Sequence, residues 1–109
     1  LPTYFSVLKR HRPDPFLLTH AVDGYSLAMD FPAKESHRLG LQKLADDMNE
    51  IVLSAGGRFY FAKDSTLNAN VVKRYLGEDT LDRFRKLKAR CDPDGLLETE
   101  LYRRLLSEG

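Results

Sequence analysis

The sequence predicts an α+β chain: an antiparallel sheet portion, a long amphipathic helix packed on it, and a helical C-terminal segment. Residues 4–10 and 25–32 read as strands, the second with strict alternation of apolar and small or polar residues. Apolar residues then recur at spacings of three and four from Leu41 to Ala55, and beyond Phe61 only helical patterns remain.

Each element has a local reason. Residues 4–10, rich in aromatic and branched side chains, suit a pleated strand. Pro13 and Pro15 remove backbone donors and fix φ, so the chain after His11 must loop. Asp23-Gly24 introduces the second strand, where Tyr25, Leu27, Met29 and Phe31 share the face expected to be core. Ser26, Ala28 and Asp30 share the other, which suits solvent or the floor of a cavity. Leu41, Leu44, Ala45, Met48, Ile51, Val52 and Ala55 form the helical stripe, with Ser36 a candidate cap and Gly56-Gly57 the stop.

Residues 58–61 read as a short strand directly after those glycines. Three shorter helices are expected to follow. Asn68 caps the first; Asp79 or Thr80 caps the second, with Leu81, Phe84, Leu87 and Cys91 turned inward; the last holds Leu97, Leu101 and Leu105 after the turn Asp92-Pro93-Asp94-Gly95. The change of pattern near residue 58 divides the chain into a sheet-based half and a half that packs elsewhere.

Composition narrows the function classes. Hydrophobic residues at 42% and charged residues at 30% fit a folded domain rather than a disordered tail. Seventeen basic side chains against sixteen acidic ones leave a net charge of +1, which gives no global attraction to nucleic acid or anionic membrane. Cys91 is the single cysteine, so no internal disulfide forms and a reducing compartment is allowed. No apolar run approaches the ~20 residues of a membrane span, and no signal-peptide pattern opens the chain. Leu1 followed by Pro2 reads as the start of a fragment or processed product.

His11, His20 and His37 lack the spacing of a helical metal pair, so no metal site is expected. Gly56-Gly57 ends a helix instead of opening one, the wrong polarity for a phosphate loop. A triad of Ser26, His37 and Asp30 has no nucleophile-elbow spacing behind it. Arg83, Arg85, Lys86, Lys88 and Arg90 read as a solvated helix face in preference to a nucleic-acid surface.

Tyr60 and Lys63 are the sharpest pair. Lys63 is either an ordinary surface cation or an ammonium that stabilises negative charge developing on a cofactor or substrate. In a regular strand the two side chains point to opposite faces, so a shared site requires the strand to end or bulge at Phe61 or Ala62.

Residues 56–65, Gly-Gly-Arg-Phe-Tyr-Phe-Ala-Lys-Asp-Ser, resemble a signature of the decaprenylphosphoryl-β-D-ribose 2′-oxidases and their bacterial relatives, flavoenzymes of the vanillyl-alcohol-oxidase type. Residues 5–10, residues 24–32, Asp92-Pro93-Asp94-Gly95 and Arg103-Arg104-Leu105 resemble that family in order and spacing. The similarity spans essentially this whole chain and the last quarter or so of the family's length.

The resemblance implies an enzyme that binds FAD in an N-terminal domain of the same protein and oxidises a sugar or alcohol hydroxyl by hydride transfer. Residues 1–57 would end the substrate-binding (cap) domain, and residues 58–109 would return to the flavin domain. Lys63 would stand beside flavin and substrate as the catalytic residue, with Tyr60 in the same pocket. Lys9, Val7, His11, Ser26 and Ala28 would contact substrate. The well-known members carry Asn and Cys where Ser26 and Ala28 stand and an aromatic residue at His11, so trapping by thiol-requiring inhibitors is not expected. The implied location is the cytoplasm, peripheral to the membrane where the sugar is lipid-linked. The alternative is a non-catalytic binding or regulatory module that keeps the fold without flavin.

Overall fold

In the computed structural model, which describes residues 2–108, strand β1 (Phe5–His11) pairs antiparallel with β2 (Gly24–Asp30). A 3₁₀ turn (Glu35–His37) leads into helix α1 (Arg38–Ser54), and a second 3₁₀ turn (Phe61–Lys63) precedes α2 (Ala69–Leu76) and α3 (Glu78–Cys91). A short π-helical turn (Tyr102–Leu106) closes the chain. The expected α+β class therefore holds.

The two strands form where aromatic and branched residues predict them. Their inward face is the reverse of the expectation. Tyr25 is 68% exposed and Leu8, on the same face, 66%, whereas Ser26 and Ala28 are half-buried. Alternation fixes which residues share a face but not which face is covered. Covering requires another layer of protein, and here the loop after β1 lies against the small-residue side.

Helix α1 packs against α2 and not against the hairpin. Asn49 Nδ2 donates to the Thr66 carbonyl at 2.9 Å, and Arg74 pairs with Glu50 at 2.5 Å. Ile51, part of the expected stripe, is consequently exposed. Ser36 lies within the 3₁₀ turn and caps nothing; His37 takes the N-cap position without a side-chain bond.

The glycine stop stands. Gly56 adopts φ +73°, its N–H reaches the Leu53 carbonyl at 3.0 Å, and the Gly57 N–H reaches that of Val52 at 2.8 Å. These crossed bonds satisfy carbonyls that the last turn of a helix leaves open.

Residues 58–61 do not form a strand. Tyr60 has extended backbone, at φ −95° and ψ 117°, but the sheet contains only β1 and β2 among the described residues. The apolar character of the segment serves packing instead: the Phe59 and Phe61 rings lie 5.4 and 6.3 Å from that of Tyr75. Burial there pushes the Tyr75 phenol up to about 12, against the opposing charge of Arg58.

The core belongs to the C-terminal half. Leu67, Val71, Val72, Leu76, Leu81, Leu105 and Leu106 are buried together. Asn68 caps α2 as expected, its Oδ1 accepting the Val71 N–H at 3.0 Å. Helix α3 starts earlier than expected, at Glu78 after Gly77, so neither Asp79 nor Thr80 caps it. Leu81 is buried and Phe84 half-buried, but Leu87 and Cys91 lie past the covering segment and are exposed.

Leu97 is also exposed, outside the last helical turn. Asp92 holds the Leu96 and Leu97 N–H groups at 2.8 and 2.9 Å, and the final turn begins only after Thr99. Among the described residues no helix is long and apolar enough to cross a membrane.

Candidate functional site

The hairpin register builds one side of the site. Val7 lies opposite Ala28, Lys9 opposite Ser26, and Phe5 opposite Asp30. Directly paired residues share a face, and side chains alternate with period two. Val7, Lys9, His11, Ser26, Ala28 and Asp30 therefore occupy one face, with Leu8, Arg10, Tyr25 and Leu27 on the other. The register thus brings together all five residues anticipated as substrate contacts on the hairpin.

On this face His11 Nε2 lies 2.7 Å from Ser26 Oγ. His20, in the loop between the strands, packs edge-on against His11, with ring centroids 5.1 Å apart and planes at 79°. The His20 ring also contacts the Tyr60 ring at 4.6 Å. Its pKa is lowered by burial first and then by the charge of His11, with Lys9 adding to the effect and Asp14 opposing it.

The loop that holds His20 is braced on both sides of it. Asp14 Oδ2 accepts the Thr19 hydroxyl at 2.8 Å, and Thr19 Oγ1 accepts the Ala21 N–H at 2.9 Å. Arg58 Nε donates to the Thr19 carbonyl at 2.8 Å, tying the loop to the segment that carries Tyr60.

The strand expected to end or bulge at Phe61 or Ala62 does not form, yet the backbone changes course at this point. Regular extended backbone ends at Tyr60, and the next residues form the 3₁₀ turn, closed by a Lys63 N–H to Tyr60 carbonyl bond of 3.0 Å. A three-residue period superposes positions 60 and 63 on one side. Phe59 and Phe61 face the core, while Tyr60 turns out to His20. Lys63 Nζ reaches to 3.6 Å from Asp30 Oδ1 on the hairpin face.

The C-terminal segment fixes this turn. Arg104 pairs with the Asp64 carboxylate and donates to the Leu67 carbonyl at 2.9 Å. Sequence reasoning did not single out His20 or identify Asp30 as the partner of Lys63.

The face is partly covered by the loop that carries His20. Two hollows of the described surface lie elsewhere, one lined by Lys34, Glu35, Arg38 and Leu41, another by Arg85, Lys86, Tyr102 and Glu108. Three of the five basic residues of α3 are engaged within the chain: Arg85 with the Leu106 carbonyl, Lys86 with Asp82, and Lys88 with Asp92. Lys86 is solvated as expected of this face, whereas Arg85 and Lys88 are largely covered.

The donor set fits the ring portion of a flavin: an ammonium, a phenol and two imidazoles beside an open surface. It does not fit the phosphates, since the paired glycines close a helix C-terminus. The hydroxyl-bearing and cationic side chains also suit a polyhydroxylated substrate.

No protein-family model matches the chain. It is 34% identical over 91 residues to a protein of Streptomyces coelicolor described as an uncharacterized protein in the mprA 5′ region, covering 84% of this chain and 23% of that protein. It is 31% identical over 88 residues to the decaprenylphosphoryl-β-D-ribose oxidase of Mycolicibacterium smegmatis, covering 81% of this chain and 18% of the oxidase. The chain therefore spans less than a quarter of the length of these relatives. The oxidase is a distant, partial relative.

Proposed function

We propose that this chain is the C-terminal part of an FAD-dependent oxidoreductase that oxidises a hydroxyl of a sugar, or of a related alcohol, by hydride transfer to the flavin. Residues 1–57 then close the substrate-binding cap, and residues 58–109 return to the flavin domain. The partner is the N-terminal flavin-binding domain of the same protein. Its location is the cytoplasm, peripheral to the membrane where the sugar is lipid-linked.

The observation that carries this reading is the meeting of Lys63 with the hairpin face at Asp30. It joins the stretch with the strongest family resemblance to the strands expected to hold substrate, and the partial kinship to an oxidase points the same way.

Bound FAD supplies the two-electron acceptor. The side chains of this chain supply the setting. The Lys63 ammonium favours negative charge developing at the redox ring, and Tyr60 lines the same site. Lys9 and Ser26 offer hydrogen bonds to sugar hydroxyls, while Val7 and Ala28 leave room for the ring. The open face of Leu8, Tyr25 and Leu27 belongs against the remainder of the protein, because burying such a surface stabilises association.

Purifying the full-length protein tests the proposal. A yellow protein whose flavin absorbance is bleached anaerobically by a sugar or alcohol supports the oxidase. A colourless protein supports the non-catalytic module instead.

A further inference from the structure

We infer that His11, acting through the Ser26 hydroxyl, is the proton acceptor for the substrate hydroxyl, and that His20 positions it. The inference rests on the proposed oxidase. Turning a carbinol into a carbonyl removes two hydrogens by different routes. The hydrogen on carbon departs with its electron pair to the flavin, the two-electron oxidant. The hydroxyl hydrogen departs as a proton, and a base must take it.

The face of the hairpin that carries Lys9, His11 and Ser26 offers few candidates. Lys9 and Lys63 carry ammonium groups, which have no lone pair to accept a proton. The Asp30 carboxylate faces Lys63 at 3.6 Å. Of the imidazoles, His11 is the one in contact with a hydroxyl in the midst of the residues expected to hold substrate. With its Nε2 2.7 Å from Ser26 Oγ, a neutral imidazole accepts the serine proton. As that proton moves to Nε2, Oγ takes the proton of the substrate hydroxyl. The carbonyl forms, Ser26 is regenerated, and His11 leaves the step as imidazolium.

His20 explains how the imidazole is held. It packs edge-on against His11 on one side and contacts Tyr60 on the other. Thr19 and Ala21, its chain neighbours, are both tied down by hydrogen bonds. A reacting group gains from such rigid support. The groups around the pair are Lys9 on β1, Asp14 in the loop, Ser26 on β2 and Tyr60 from the segment after α1. Burial, the charge of His11 and that of Lys9 lower the pKa of His20 against the pull of Asp14, which disfavours a second charge beside a proton-accepting neighbour.

The test uses the flavin-loaded full-length protein, with D-ribose, D-arabinose, D-xylose and their phosphates as probes. Anaerobic flavin bleaching is followed across pH. His11→Gln is expected to slow bleaching by about 10²–10⁴-fold and to erase the acid limb of the profile. Ser26→Ala is expected to slow it less, and His20→Asn to move the acid limb without removing it. A readout other than the rate of flavin reduction is diethyl pyrocarbonate labelling of the wild type, mapped by peptide mass spectrometry. A sugar that bleaches the flavin is expected to protect His11.

A His11→Gln protein with a normal rate and an intact acid limb overturns the inference while leaving the oxidase standing; equal labelling of His11 with and without sugar does the same. An acid limb unmoved by His20→Asn removes His20 from the scheme. A wild type that lacks flavin, or whose flavin none of the probes bleach, overturns the oxidase reading and this inference together.

Discussion

Lys63 Nζ lies 3.6 Å from Asp30 Oδ1, joining a 3₁₀ turn after α1 to the end of β2 across 33 positions of sequence. Both side chains remain accessible, at 59% and 43%. An exposed pair of this kind contributes at most about 1 kcal/mol to stability. Its value in the proposed enzyme is direction, because it aims the ammonium at the hairpin face.

Asp30→Asn is therefore expected to leave the melting temperature of the full-length protein nearly unchanged and to slow flavin reduction by about ten- to a hundredfold through a misplaced cation. In a Lys63→Met background the same change should have no further effect. A double-mutant cycle on the reduction rate checks this, and full additivity would show that Asp30 acts independently of Lys63.

Asp92 makes the stability sensitive to acid. It pairs with Lys88 at 2.7 Å and accepts the N–H groups of Leu97 and Leu96, which together lower its pKa from 3.8 to about 2. A carboxyl lowered by folding contributes stability that is present above its unfolded value and lost as pH falls through its folded one. Urea unfolding should show this contribution disappearing between about pH 4 and pH 2. Asp92→Asn should flatten that part of the curve, and an unaltered slope would remove Asp92 as its source.

The end of α1 depends on two glycines for different reasons. Gly56 has φ +73° with open space around it, so Gly56→Ala should cost about 1–2 kcal/mol through backbone strain alone. At Gly57 an added Cβ would stand 2.6 Å from Val52 Cγ1 and 3.0 Å from the Val52 carbonyl oxygen. Gly57→Ala should accordingly be the more damaging change and should disturb the neighbouring Arg58–Thr19 bond. Thermal unfolding of the two variants ranks them, and equal losses would contradict the geometry.

Features decided by neighbouring residues were legible in the sequence. The Asn68 cap, the glycine stop and the two strands each follow from short-range sterics or hydrogen bonding. Features decided by what covers a surface were not. Tyr25 and Leu27 alternate as core residues do, yet both are exposed, and the Tyr25 ring is met by the Arg10 guanidinium of the neighbouring strand and not by another layer. Residues 58–61 have strand-like composition because Phe59 and Phe61 pack around Tyr75, without a strand to pair with.

The candidate site divides in the same way. Spacing showed that Tyr60 and Lys63 share a side only if regular extended backbone breaks between them, and a 3₁₀ turn over Phe61–Lys63 breaks it, though no strand precedes it. His20 gave no periodic signal, because a loop braced by Asp14, Thr19 and the distant Arg58 carries it to His11. Asp14 and Thr19, polar residues flanking the loop, were the available hint.

The most direct test of the central claim is the rate of anaerobic flavin reduction in full-length Lys63→Met protein, measured with a sugar that reduces the wild type. The account expects a fall of about 10²–10³-fold, with flavin absorbance and melting temperature retained. A reduction rate close to that of the wild type would contradict it.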